Sequence, residues 1–186
     1  MRATHDWGKK SLTCVFLPSC CTMFLTMNQS SPLRIVVLGA GFAGTTAVKE
    51  LHKKFASIRS KISITLINDT EYFLFTPLLH EVATGSLQPH HVTESLTDVL
   101  SSYYDSLVIA QVQDVDREKK VVHTTKETLS YDILIVAIGS RSISYGTKGV
   151  EEYTHTLKTL PDAVNLKHQF LDVIEKVKNS PTEQAK

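Results

Sequence analysis

The residues of this chain whose types and spacing can do chemistry are three glycines, Gly39-x-Gly41-x-x-Gly44, closing an apolar run over residues 33–38. Each has its own physical reason. A glycine at 39 permits the tight turn out of a strand. One at 41 lets backbone approach a pyrophosphate, and one at 44 lets the following helix pack close to the sheet. Ala40, Phe42 and Ala43 lie between them. A helix start offers unpaired N–H groups and a partial positive charge, so the chemistry implied is the holding of dinucleotide phosphates. The spacing is informative because it follows a strand and opens a helix inside a strand–helix–strand unit of about 30 residues.

Such a site also needs an acceptor for ribose hydroxyls at the end of the second strand. Residues 61–67 alternate, with Ile62, Ile64 and Leu66 on one side, and lead into Asn68 and Asp69. Asn68 takes the ribose position as a neutral acceptor, roughly half as strong as a charged one. Asp69 is one step on. The alternative, that both residues only form the turn, stays open. No arginine sits nearby to take a 2′-phosphate. Other tempting side chains do not combine. His80, His90, His91, His123, His155 and His168 lack metal-ligand spacing. Ser140, Ser142 and Ser144 follow a strand without the G-x-S-x-G elbow. No metal site is expected, and no catalytic acid, base or nucleophile is assigned.

The elements that must position these residues read as follows. After the first strand, a helix places Ala43, Ala47, Leu51 and Phe55 on one face. In residues 72–85, Pro77 breaks any earlier helix, residues 78–83 restart one, and Gly85 stops it. Residues 89–103 read as a helix with Thr93, Leu96, Val99 and Leu100 on one face. Residues 107–115 and 119–124 read as strands joined by a polar turn. Residues 131–138 form a continuous apolar run, read as a fully buried strand ending at Gly139. Glycines 146 and 149 mark a loop, and residues 157–177 read as a helix with Ala163, Leu166, Phe170, Val173, Ile174 and Val177 as its apolar stripe. The fold class is α/β: a Rossmann-like dinucleotide domain, a βαβ unit with a parallel sheet plus a small β-meander.

Composition narrows the options. The chain has 186 residues and a formal net charge of +1, with no basic face to suit nucleic acid. Its three cysteines, Cys14, Cys20 and Cys21, all lie near the N-terminus, so the body has no disulfide framework, zinc cluster or redox pair. Residues 1–32 read as a leader or a mis-assigned start. Lys9 and Lys10 precede an apolar stretch over residues 12–25 that suits a signal-peptide core or an organellar presequence, leaving export or import open. Pro18 interrupts it, and it is too short for a membrane span, which needs about 20 apolar residues. Alternatively, Met27 is the working start.

Four segments together carry a resemblance to a known family. They are Ile35-Val-Val-Leu-Gly-Ala-Gly-Phe-Ala-Gly44, Phe75-Thr-Pro-Leu-Leu-His-Glu-Val-Ala-Thr-Gly-Ser-Leu87, Tyr131-Asp-Ile-Leu-Ile-Val-Ala-Ile-Gly139 and Leu157-Lys-Thr-Leu-Pro-Asp-Ala163. With them the chain resembles type II (non-electrogenic) NADH dehydrogenases, FAD flavoproteins that pass a hydride from NADH to FAD and then electrons to quinone. The second segment is the most diagnostic. The resemblance implies that Gly39, Ala40, Gly41, Phe42, Ala43 and Gly44 cradle the FAD pyrophosphate. It places Asn68, where the family usually has Asp or Glu, on the adenosine ribose with Asp69 beside it. It puts the backbone of Val112 on the adenine, and Thr76, Pro77 and Leu78 near the flavin end. Ala137, Ile138 and Gly139 match the family's Ala-Thr-Gly turn, with Ile138 replacing the threonine. Hydride transfer to a flavin needs no protein acid or base. Related disulfide and sulfide–quinone reductases work through cysteines, which the body lacks.

The same resemblance implies domain limits: a leader over 1–32, an FAD domain over 33–160, and a helix and tail over 161–186 leading to an NADH-binding domain that the sequence does not contain. Only one glycine fingerprint is present. The FAD domain is expected to be incomplete relative to the family and inactive alone, with FAD as cofactor and NADH as substrate only when the missing domain is supplied. The partner is a missing C-terminal half or a separately encoded chain. Quinone and the membrane surface are reached only through that region, and the family's setting is cytoplasmic, peripheral to the inner membrane. Two alternatives stand beside this reading: a single-domain NAD-binding dehydrogenase, and a non-catalytic dinucleotide-binding module.

Overall fold

A computed structural model describes residues 3–7, 10–14 and 31–179. Its elements in chain order begin with β1 (Ala3–Trp7), β2 (Lys10–Cys14), β3 (Leu33–Leu38), α1 (Phe42–Lys54), β4 (Ile62–Asn68) and β5 (Tyr72–Leu74). Then come α2 (Leu79–Thr84), β6 (Thr93–Ser95), α3 (Leu96–Leu100), β7 (Ser106–Ile109), β8 (Val112–Asp116), β9 (Val121–Thr124), β10 (Thr128–Ser130), β11 (Ile133–Val136), α4 (Val150–Tyr153) and α5 (Leu160–Asn179). The chain divides into two compact units at Pro32 and Leu33. In the first, β1 and β2 pair antiparallel, Ala3 opposite Cys14 and Trp7 opposite Lys10. The rest of the leader, and the tail beyond Asn179, lie outside the described residues.

The second unit is built on a parallel sheet of order β11–β3–β4–β7. Successive strand residues face opposite sides, so Ile35 and Val37 point one way and Val36 and Leu38 the other. On the first face they join Ile62, Ile64 and Leu66 of β4, Val48 of α1, and Leu96 and Leu100 of α3. On the second, they meet Ile67, Val108, Val122 and Tyr131, with Val115 and Leu129 packed alongside. The second layer is thus the antiparallel sheet β8–β9–β10. Burying both faces explains why β3 is apolar at consecutive positions. Each fully buried side chain here contributes about 1.5–3 kcal/mol. A third cluster joins Leu79, Val82 and Ala83 of α2 to Val92 and to Ala163 of α5.

Two ion pairs lie at the starts of neighbouring strands. Arg34 of β3 donates from its backbone N–H and from Nε to Asp132 Oδ2, at 2.9 and 3.2 Å, and also reaches Ser130 Oγ. Arg59 pairs with Asp105 at 2.9 Å, and Asp105 accepts the Ile64 N–H at 2.6 Å. After β3 the chain crosses to β4 and later β7 on one side, and returns as β11 on the other. The C-terminal end of β3 is therefore where strand order reverses, the crevice in which open α/β sheets bind ligands.

The α/β class, the parallel sheet, the βαβ unit and the β-meander are all present. Several local expectations are corrected. Residues 89–103 are not one helix. A 3₁₀ turn at Pro89–His91 leads into β6, which pairs with β5 before α3 begins. Residues 107–115 divide into β7 and β8, in different sheets. Of the expected face of α1, Leu51 and Phe55 pack against the core and Ala47 is half-buried, while Ala43 is exposed and the fully buried positions are Gly44 and Val48. The run at 131–138 is not fully buried. Among the described residues strand β11 is paired on one side only, and Val136 is 61% exposed. The apolar stripe of α5 is buried only at Ala163, with Leu166 half-buried, and Phe170, Val173, Ile174 and Val177 are exposed. Among the described residues no helix is long and apolar enough to cross a membrane.

Candidate dinucleotide-binding site

The three glycines are required for different reasons, and the structure separates them. Gly39 has φ +93°, in the left-handed region, and a Cβ there would lie 2.4 Å from the Ala137 carbonyl oxygen. At Gly44 a Cβ would lie 1.8 Å from the Gly39 carbonyl oxygen. Both positions are closed by the protein itself. Gly41 has φ −75° and ψ −166°, open to any residue, and a Cβ there would meet nothing within 4 Å. Its missing side chain leaves free space at the N-cap of α1. No side chain caps that helix, and its first turn carries no acid. Unmet N–H groups, the helix dipole and vacant space fit a phosphate group.

The turn is held by its neighbours. The Gly39 N–H donates to the Ile67 carbonyl at 2.7 Å, and Ala137 N–H to the Leu38 carbonyl at 2.8 Å. The Ala40 N–H donates to Asn68 Oδ1 at 2.9 Å, and Asn68 Nδ2 donates to Thr70 O at 2.8 Å and Thr70 Oγ1 at 3.0 Å. Asp69, next in sequence, is exposed. The Ala110 N–H donates to the Asn68 carbonyl at 2.8 Å, so the chain leading to Val112 starts at the end of β4. Val112 packs on the cluster containing Leu38 and Ile67.

Aromatic contacts bring the segment after β5 to the helix start. The Phe42 ring meets Phe73 at 5.1 Å and Phe75 at 5.6 Å between centroids, both edge-on. Phe75 leads directly into the 3₁₀ turn Thr76–Leu78 that holds Thr76 and Pro77. Across the turn, Ala137 and the Ile138 backbone press on Gly39, and Gly139, at φ +73°, faces open space. The expected residues at the ends of β3, β4 and β11 are therefore gathered around one crevice. Sequence reasoning missed Thr70, Phe73 and Phe75 as supports. An Asn is a recognisable turn signal because its side chain bonds to backbone two residues on, whereas the Thr70 hydroxyl and the aromatic contacts had no local signal. Among the described residues, no three His, Cys, Asp or Glu lie together to hold a metal.

The chain is similar to known proteins in sequence and fold. Residues 33–178 match the family described as pyridine nucleotide-disulphide oxidoreductase. The chain is 32% identical over 139 residues to a type II NADH:quinone oxidoreductase of Staphylococcus aureus, covering 75% of this chain and 34% of that protein. It is 28% identical over 163 residues to the external alternative NAD(P)H-ubiquinone oxidoreductase B4, mitochondrial, of Arabidopsis thaliana, covering 80% of this chain and 27% of that protein. Among solved structures, NDH2 from Plasmodium falciparum in complex with NADH superposes with a TM-score of 0.69 at 30% identity, over 82% of this chain and 32% of that one. The chain spans about a third of the length of these relatives. On the match across residues 33–178, the chain belongs to the pyridine nucleotide-disulphide oxidoreductase family.

Proposed function

We propose that the turn at residues 39–44 and the start of α1 bind the pyrophosphate of FAD, and that the chain is the flavin-binding portion of an NADH:quinone oxidoreductase. The observation that carries this reading is the contrast among the glycines. Gly39 and Gly44 are closed by backbone, while Gly41 opens onto empty space beside an uncapped helix start. The reaction class is supported by the names of relatives that the chain matches over three quarters or more of its length. When bound, FAD supplies hydride acceptance from a nicotinamide and electron delivery to a quinone.

The protein's part is to bind and orient. N–H groups of Gly41, Phe42 and Ala43 face the phosphates, and Asp69 offers the ribose a charged acceptor. The backbone at Val112 borders the adenine. Thr76 and Pro77 lie toward the flavin, and residues 137–139 close the opposite wall. The NADH and quinone sites, and a peripheral attachment to the membrane surface, come from polypeptide outside this sequence, continuous with it or separately encoded.

Titration of the purified chain with FAD tests the reading. The expected result is saturable binding at one flavin per chain, lost in Gly41→Val. Absence of any retained flavin, even after refolding with FAD, overturns it. Tighter binding of NAD than of FAD would favour a single-site NAD dehydrogenase instead. Supplying the remaining two thirds of a type II relative should restore NADH oxidation by a quinone, and failure to do so sinks the enzymatic claim.

A further inference from the structure

Asn68 stands at the end of β4, where a nucleotide-binding strand ordinarily presents an acid to the ribose. Its side chain is engaged by the protein on both sides. Oδ1 takes the Ala40 N–H, and the two N–H bonds of Nδ2 go to the carbonyl and the hydroxyl of Thr70. Thr70 Oγ1 in turn donates to the Tyr72 carbonyl at 3.1 Å. The Asn68 backbone adds a third tie through its carbonyl to Ala110 N–H, while the neighbouring Ile67 carbonyl holds Gly39 N–H. The amide therefore sits between the glycine turn and the turn that leaves β4.

We propose that Asn68 is a positioning residue that locks the glycine turn in its phosphate-binding shape before a dinucleotide arrives, and that only an amide can do so. One side of the group meets a donor and the other meets an acceptor. Serine and threonine carry both roles on a single oxygen, whereas asparagine presents an acceptor oxygen and a two-hydrogen donor on separate atoms, as partners on two sides require. A carboxylate would turn an oxygen toward the Thr70 carbonyl, with no proton between them. The asparagine is thus not a weakened ribose ligand; it does a different task. With the Ala40 N–H committed to Asn68, the donors left for phosphate are those from Gly41 onward. A turn fixed in advance spares the ligand the cost of ordering it. The role rests on the dinucleotide reading above.

The test exploits aspartic acid in its protonated form, which regains one acceptor and one donor. FAD is titrated into the full chain, wild type and Asn68→Asp, from about pH 7.5 down to about pH 4.5. The expected result is roughly tenfold weaker FAD binding by the variant at the upper pH. Relative to wild type, the loss recovers steadily on acidification. Residues 38–45 and 106–113 carry no titratable group, and Asp69, Glu71 and Tyr72 on the adjoining turn occur in both proteins. Because a carboxylate at 68 couples to Asp69, the pair is also compared in an Asp69→Asn background, where the same recovery is expected. If Asn68 instead accepts ribose hydroxyls, the variant binds more tightly than wild type at neutral pH and weakens on acidification. That result, or equal affinity throughout, overturns the proposal.

Amide hydrogen exchange on the ligand-free chain gives a second readout, which does not depend on Asn68→Asp folding. Ala40 is expected to be protected in wild type and at least tenfold less so in Asn68→Ala, with core amides such as Val37 unchanged. An unprotected Ala40 in wild type overturns the clamp alone. A wild-type chain that protects Ala40 but takes no FAD refutes the dinucleotide reading, and the positioning role falls with it.

Discussion

Gly41 and Gly44 stand one turn of helix apart and ask opposite things of the chain. Gly44→Ala places a methyl against the Gly39 carbonyl, so it should cost about 3 kcal/mol or more in urea denaturation of the ligand-free protein. At Gly41 an added Cβ meets no atom within 4 Å and the backbone, at φ −75°, is open to any residue. The stability of Gly41→Val should stay within about 1 kcal/mol of wild type, while FAD affinity falls at least tenfold. Equal effects of both variants on stability would mean that Gly41 is structural too. The glycines were legible in the sequence because strand, turn and helix are contiguous, and their spacing is set by local geometry. The work of Asn68 was not. Its partner Ala40 lies 28 residues away, and a sequence cannot show that an acceptor is already engaged.

Helix α5 shows at the element scale how an end is decided by a few polar groups. Asp162 Oδ2 accepts the N–H of Thr159 at 2.8 Å and of Lys158 at 3.0 Å, and Thr159 Oγ1 accepts the Asp162 N–H at 3.3 Å. This is a reciprocal capping box, and it starts the helix at Leu160 rather than at 157. Partial burial opposes ionisation of Asp162, but the N–H groups of Thr159 and Lys158 outweigh it and hold the carboxyl below its ordinary value. The sign follows from linkage. A lowered folded-state value adds stability above the unfolded carboxyl range, near 3.9, and the contribution is lost as pH falls through the folded value. Asp162→Ala should therefore cost about 1 kcal/mol at neutral pH, with the gap in thermal melts narrowing toward about pH 3. A constant gap would assign the loss to packing. The misread helix at 89–103 has a different cause. Thr93–Ser95 is extended because it pairs with Tyr72–Leu74, and periodicity within a segment carries no information about a distant strand. Ser95 then accepts the Asp98 N–H and caps the shortened α3.

At the scale of the whole molecule, the sheet is covered on both faces at its central strands β3 and β4, while β11 at its edge leaves Val136 exposed. Large apolar side chains lie open on the second half of α5, where Phe170, Val173, Ile174 and Val177 recur at helical spacing. Exposed apolar rows of this kind promote association in water. The isolated chain is expected to bind an apolar dye and to self-associate as concentration rises. Phe170→Lys with Ile174→Glu should suppress both in sedimentation and dye assays, with a melting temperature within about 2 °C of wild type. A large drop in melting temperature would show instead that this face is packed. The apolar run at 131–138 correctly marked a sheet strand; that one side would stay open depends on what lies next to it, which no run of residues records. The pairing of β3 with β11 has one more consequence, for the order of events in folding. Arg34 and Asp132 are 98 residues apart, and the wall beside Gly39 is Ala137. The first strand, turn and helix leave the ribosome early, yet the crevice between them stays unfinished until nearly the whole sheet has been synthesised. Closing so large a loop is intrinsically slow. During refolding, capture of a dinucleotide should keep time with the arrival of β11, not with the formation of α1.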